Sequence, residues 1–131
     1  MSINIFLSDK LPEERNKLLT VISFNKKIDY ANNILSAGVP TINGKNLYEI
    51  WEVKDKVDRS IYNNINISKN KYCLFGSTII DNKGSYEEIR LEIQKKYLDF
   101  FKISNENGMR IVKIWHYLPD LLKVYPDKKT N

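Results

Sequence analysis

Gly108-Met109-Arg110-Ile111-Val112-Lys113-Ile114-Trp115-His116-Tyr117-Leu118-Pro119-Asp120 is the stretch on which the architecture turns. A glycine that can stop a helix is followed by a run of β-branched and aromatic residues, and a proline closes the run, so the order read is helix stop and then strand. Alternation places Val112, Ile114, His116 and Leu118 on one side of that strand and Ile111, Lys113, Trp115 and Tyr117 on the other. A helix can cover the first side. The second presents Trp115 and Tyr117 beside a lysine, an apolar surface with polar tips that suits an oxygen-rich cyclic ligand.

Upstream of the glycine stands the helix that it stops. Asp81-Asn82-Lys83-Gly84 reads as a turn, and Ser85-Tyr86-Glu87-Glu88 as a capping box in which the serine accepts from the backbone at Glu88 and the glutamate reaches back. The spacing predicts a helix to about residue 103, with Ile89, Ile93, Tyr97 and Phe100 or Phe101 in a buried stripe and Arg90, Gln94, Lys95 and Lys102 facing water. That stripe is core rather than a cofactor box. Before the turn, Tyr72 to Ile80 reads as a strand, with Gly76 marking a bulge or a close approach. Strand 72–80, helix 86–103 and strand 109–118 would make a βαβ unit with parallel strands and a right-handed crossover.

Further strands are expected at residues 3–7, 19–24 and 47–54, the last with Tyr48, Ile50 and Glu52 on one side and Glu49, Trp51 and Val53 on the other. Glu49 beside Trp51 is either a general acid made weaker by burial or a structural carboxylate at an edge or paired to a lysine; the structural account is preferred. Residues 25–46, polar and carrying Asn43-Gly44, read as a long loop. Residues 55–71 read as a charged, asparagine-rich surface connection. The expected class is α/β (α+β), a sheet with one long helix packed on one face. A sheet so covered on one side only calls for a second copy or a partner domain on the other.

Ile114-Trp115-His116-Tyr117-Leu118-Pro119-Asp120 resembles the Trp-Asn-Tyr-x-Pro segment of the chorismatase family, enzymes that hydrolyse the enol ether of chorismate. Tyr48-Glu49-Ile50-Trp51 is similar to the family's Glu-aliphatic-Trp strand, and Leu74-Phe75-Gly76-Ser77 to its Leu-Phe-Gly strand, in the same order. The resemblance implies a RidA/YjgF-like or chorismate-mutase-like sheet over residues 1–120 with a tail at 121–131, matching the N-terminal half of a duplicated fold. It implies chemistry without metal or cofactor: protonation of the enolpyruvyl methylene, attack of water, and release of pyruvate. The family's essential glutamate and most of its carboxylate-binding arginines lie beyond the Trp-Asn-Tyr segment, so this chain is expected to be inactive alone. By the resemblance, Tyr117 lies at the substrate cleft and hydrogen-bonds a substrate oxygen, Trp115 and Trp51 pack, and His116 stands where the family has asparagine. An imidazole titrates where an amide does not; the plainer account of His116 is a hydrogen-bonded structural residue. Two other readings stay open, a stand-alone RidA-like oligomer that binds a small carboxylate metabolite and a non-catalytic assembly domain.

Composition bounds these readings. The chain has 131 residues, one domain's worth, and 42% hydrophobic against 28% charged residues is the composition of a globular protein, with disorder expected only at the ends. The formal charge is +5, but arginine occurs only at 15, 59, 90 and 110 and the lysines are scattered, so the preferred reading is a solvated lysine-rich surface rather than a nucleic-acid site, with a mildly positive field that favours small anionic metabolites. No stretch reads as a membrane span or secretory signal, and a single cysteine, Cys73, expected as a buried strand residue, makes no internal disulfide. A cytoplasmic protein is expected, a homo-oligomer or the partner of a separate catalytic domain.

Overall fold

The structure is a computed structural model, and it describes residues 2–24, 34–37, 43–81 and 83–116. The chain is mixed α and β and divides into two compact units, residues 1–78 and 79–131.

The first unit holds two sheets. Strands β1 (Ile3–Ser8), β2 (Leu18–Ser23), β3 (Ile34–Ser36) and β4 (Tyr48–Val53) lie in the order β1-β4-β2-β3. The strands expected at 3–7 and 19–24 therefore form, but they do not meet: β4 runs antiparallel between them, with Trp51 opposite Ile5 of β1 and Thr20 of β2. β2 is buried along its whole length because it is an inner strand with both faces covered. Its register against β4 shifts between Leu18 and Thr20, a bulge that inserts Leu19 and lets the strand feed both faces. On one face Leu18 and Val21 pack with Tyr48 and Ile50; on the other Leu19 packs with Val53 and Val57. The alternation expected of β4 is thus observed.

β3 corrects the reading of residues 25–46 as one long loop. Ile34–Ser36 pairs parallel with β2, Val21 opposite Ile34. Residues 25–33 and 38–42 of that segment lie outside the described residues.

The second sheet is a meander of β5 (Asp58–Tyr62), β6 (Ile65–Lys69) and β7 (Leu74–Ser77), antiparallel throughout. It corrects the reading of 55–71 as a surface connection. Asn63 and Asn64 both take positive φ, 47° and 64°, the backbone of a two-residue type I′ hairpin whose twist suits the flanking strands. Asparagine tolerates that region better than other side-chain-bearing residues, so an asparagine-rich stretch served a turn rather than a loop. Ile65 and Ile67 are buried with exposed Asn66 between them, and Ser68 is buried as well. Gly76 sits in regular register opposite Ile67, so the expected bulge there is absent.

The second unit contains helix α1, Tyr86–Glu106. Ser85 is its N-cap: the Glu88 backbone N–H donates to Ser85 Oγ at 3.2 Å. Glu88 does reach back, but its Oε1 takes the Ser85 hydroxyl at 3.2 Å. Glu87 and Glu88 suit the positive end of the helix. At the other end Gly108 has φ 60°, its N–H donates to Asn105 O, and the Met109 N–H donates to Ser104 O, the pair of bonds of a Schellman stop. Ile89, Ile93, Tyr97 and Phe100 are half-buried and Ile103 is buried, while Phe101 is exposed, so the stripe continues through Phe100.

The βαβ unit is not formed. Residues 109–116 are in no strand, and β7 pairs antiparallel with β6. Alternating β-branched residues make a strand only when a backbone partner takes their N–H and C=O groups. Among the described residues none pairs with 109–116, and Val112 is 92% exposed. Residues 117 and 118, the end of that expected strand, and the tail at 121–131 lie outside the described residues.

Candidate functional site

Two clusters carry the polar chemistry, one in each unit. In the first, β4 puts Glu49 and Trp51 on the same face, two residues apart. Trp51 Nε1–H donates to Glu49 Oε2 at 3.0 Å. The indole ring tilts against Phe75 of β7, centroids 6.0 Å apart and planes at 54°. Trp51 and Phe75, with Cys73 and Ile3, pack on the cluster of Leu19, Val53 and Val57. The Glu49 carboxylate is therefore an acceptor that orients an indole, a structural role, but on an inner strand and with Trp51 rather than at an edge or on a lysine. The segments 48–51 and 74–77, singled out separately in the sequence, meet through this pair of rings.

Cys73 is half-buried just before β7. Its Sγ lies 3.4 Å from Asn70 Oδ1, which also accepts from the backbone N–H of Tyr72 and Cys73. Burial pushes the thiol above its usual pKa, the opposite of what a nucleophile needs. Arg59 of β5 ties the two sheets' strands together by donating to the carbonyl oxygens of Leu18, at 3.2 Å, and of Arg15. Burial, and secondarily the like charge of Arg15, push its guanidinium below the usual value.

In the second unit the segment after the Schellman stop runs back along α1. Tyr97 Oη and His116 Nε2 are 2.7 Å apart, with the rings 5.9 Å apart at 31°. Either group donates, according to the imidazole tautomer, and in both cases the ring is held. Tyr97 in turn leans on Phe101, centroids 6.3 Å apart. Three residues before His116, Lys113 Nζ sits 5.0 Å from the centroid of the Trp115 ring, a cation–π contact. Lys113 and Trp115 are where alternation places them, on a common side, although no ladder holds them.

Of the sequence-derived site residues, Trp115 and His116 are thus brought into one short segment with Lys113, and Tyr117 lies outside the described residues. Both Trp115 and His116 are exposed. Tyr97, expected only as core, is a neighbour of this segment: its ring does belong to the helix stripe, but its hydroxyl reaches His116. Only its place on the face nearest the returning chain could have flagged it.

The cluster offers an ammonium, an aromatic face and an imidazole within four consecutive residues, which is equipment for holding an anionic ring compound. Among the described residues no group of three or more His, Cys, Asp or Glu side chains could hold a metal ion, and no helix is long and apolar enough to cross a membrane. The family model described as chorismatase FkbO/Hyg5-like, N-terminal, matches residues 49–130. No curated protein and no solved structure matches the chain.

Proposed function

The chain belongs to the chorismatase FkbO/Hyg5-like N-terminal family, and from that premise we propose that it is a chorismate-binding module that is inactive until a separate catalytic domain or subunit completes its site. The observation that supports binding is the Lys113, Trp115 and His116 cluster, with the ammonium on the indole face and the imidazole held by Tyr97. Chorismate carries two carboxylates, a hydroxyl and an enol ether around an unsaturated ring. Lys113 serves one carboxylate, Trp115 faces the ring, and His116 hydrogen-bonds an oxygen. For Tyr117, next in sequence, the family resemblance assigns the role of donor to a substrate oxygen.

Hydrolysis asks for more. A proton must be delivered to the enolpyruvyl methylene carbon, water must add to the resulting oxocarbenium carbon, and the hemiketal must collapse to pyruvate and the ring alcohol. That sequence needs a carboxylic acid and a cation for the second carboxylate. Glu49 is engaged with Trp51, and the proton donor is assigned to the separate catalytic part.

Titration of chorismate into the purified chain, followed by tryptophan fluorescence, tests the reading, with a coupled assay for pyruvate beside it. Expected are weak saturable binding, loss of affinity in Lys113→Met and Tyr117→Phe, retention of affinity in His116→Asn, an unchanged value in Arg90→Met, and no pyruvate. Absence of binding overturns the module. Pyruvate release by the chain alone that falls in Tyr117→Phe overturns the need for a second catalytic part.

A further inference from the structure

Among the described residues, no strand takes up the outer side of the β1 backbone. Its ladder is with β4, from Ile3 opposite Val53 to Ser8 opposite Tyr48, and it ends the strand order. Protein edges are ordinarily blunted by charge, proline, a bulge or shortness. β1 has none of these: Ile3-Asn4-Ile5-Phe6-Leu7-Ser8 spans six residues, lacks charge and proline, and pairs with β4 without a register shift. Ile3 is partly buried against the cluster of Leu19, Val53 and Val57, but the other apolar side chains lie open on both faces, Ile5 at 49%, Phe6 at 37% and Leu7 at 62% exposure. After Ser8 the chain turns away, the Lys10 N–H donating to Ser8 Oγ at 3.1 Å.

We propose that a second copy of this chain docks on β1, strand to antiparallel strand, with the twofold axis at Phe6, so that two sheets become one. The register chooses the occupant. About Phe6 the pairs within the strand are Asn4 with Ser8, Ile5 with Leu7, and Phe6 with itself, so polar meets polar and apolar meets apolar over residues 4–8, and Ile3 overhangs the turn that follows Ser8. About Ile5 an amide, Asn4, would face the Phe6 ring. About the bond between Ile5 and Phe6, Asn4 would face Leu7 and Ile3 would face Ser8. A strand whose side-chain pattern is its own mirror through one residue is the natural partner of its own copy. The contact lies outside the family-matched residues 49–130 and uses none of the residues assigned to chorismate, so it stands or falls separately from that assignment.

The test joins sedimentation to cross-linking on the full chain. Wild type is expected to sediment as a dimer, and Phe6→Lys, which sets two like charges directly opposite, is expected to raise the dissociation constant at least about tenfold. Because a folding defect could also lower association, a second variant reads position rather than affinity. In a Cys73→Ser background, Phe6→Cys brings two thiols face to face at a Cα separation of about 4.5–5.5 Å, within disulfide reach. Leu7→Cys leaves its two thiols diagonal and out of reach. Diamide oxidation is expected to give a covalent dimer from Phe6→Cys and little from Leu7→Cys. A monomer at every soluble concentration, a dimer indifferent to Phe6→Lys, or equal cross-linking at 6 and 7 overturns the proposal.

Discussion

β4 and residues 109–116 are written in the same idiom and live in different states. Both alternate aliphatic or aromatic residues with charged or polar ones, and each holds a tryptophan. In β4 the strands on either side take up the backbone, Ile50 has no exposed surface, and Trp51 is fixed by Phe75 and Glu49. In 109–116 no strand among the described residues takes up the backbone, and two contacts hold the ends: the Schellman bonds at Met109 and the Tyr97 contact at His116. The pattern of side chains states which faces a strand would have, while the neighbours state whether there is a strand.

The comparison breaks most sharply at the aliphatic positions. Ile50→Ala removes a fully enclosed side chain and is expected to cost about 2–5 kcal/mol, whereas Val112→Ala should fall within about 0.5 kcal/mol of wild type; denaturant unfolding measures both. Equal losses would mean that 109–116 is packed as β4 is. The hairpin that braces Phe75 comes next. Asn64→Val forces a β-branched residue into a φ of 64° and is expected to lower stability by about 1–2 kcal/mol, while Asn64→Gly should hold or raise it. Gly108→Ala strains the helix stop, at about 1 kcal/mol, and should speed amide hydrogen exchange at Met109 without touching β4. Smallest is Tyr97→Phe, expected to cost at most about 0.5–1 kcal/mol for a hydrogen bond near solvent. Its effect should appear as faster exchange and altered ring resonances at His116, with the β4 amides unchanged.

The same contrast explains what could be read from the chain beforehand. β1, β2, β4, β7 and α1 were legible because each has a local signature, from the alternation of Tyr48 to Val53 to the Ser85 cap and the Gly108 stop. β5 and β6 were not, since Asn63 and Asn64 look like loop until their positive φ is known, and Ile65 and Ile67 are too few to outweigh them. β3 is three residues long and owes its existence to β2. The final strand was overread because nothing in Ile111 to Tyr117 reports a missing partner. In the candidate site, Trp115 and His116 were found by resemblance and Lys113 by alternation. The Tyr97 hydroxyl was not, because it depends on where the chain returns after Gly108.

The placement of β4 between β1 and β2 also sets a timetable for the growing chain. β5, β6 and β7 are sequence neighbours and can zip as soon as they exist, a hairpin needing roughly 1–10 μs. β1 must wait for a strand that ends fifty residues later, at Val53, and β2 waits with it. Loop closure over that span is slow relative to local pairing. β1 is therefore held open while Ile5, Phe6 and Leu7 stand in water, and these three residues are the ones most in need of an early chaperone.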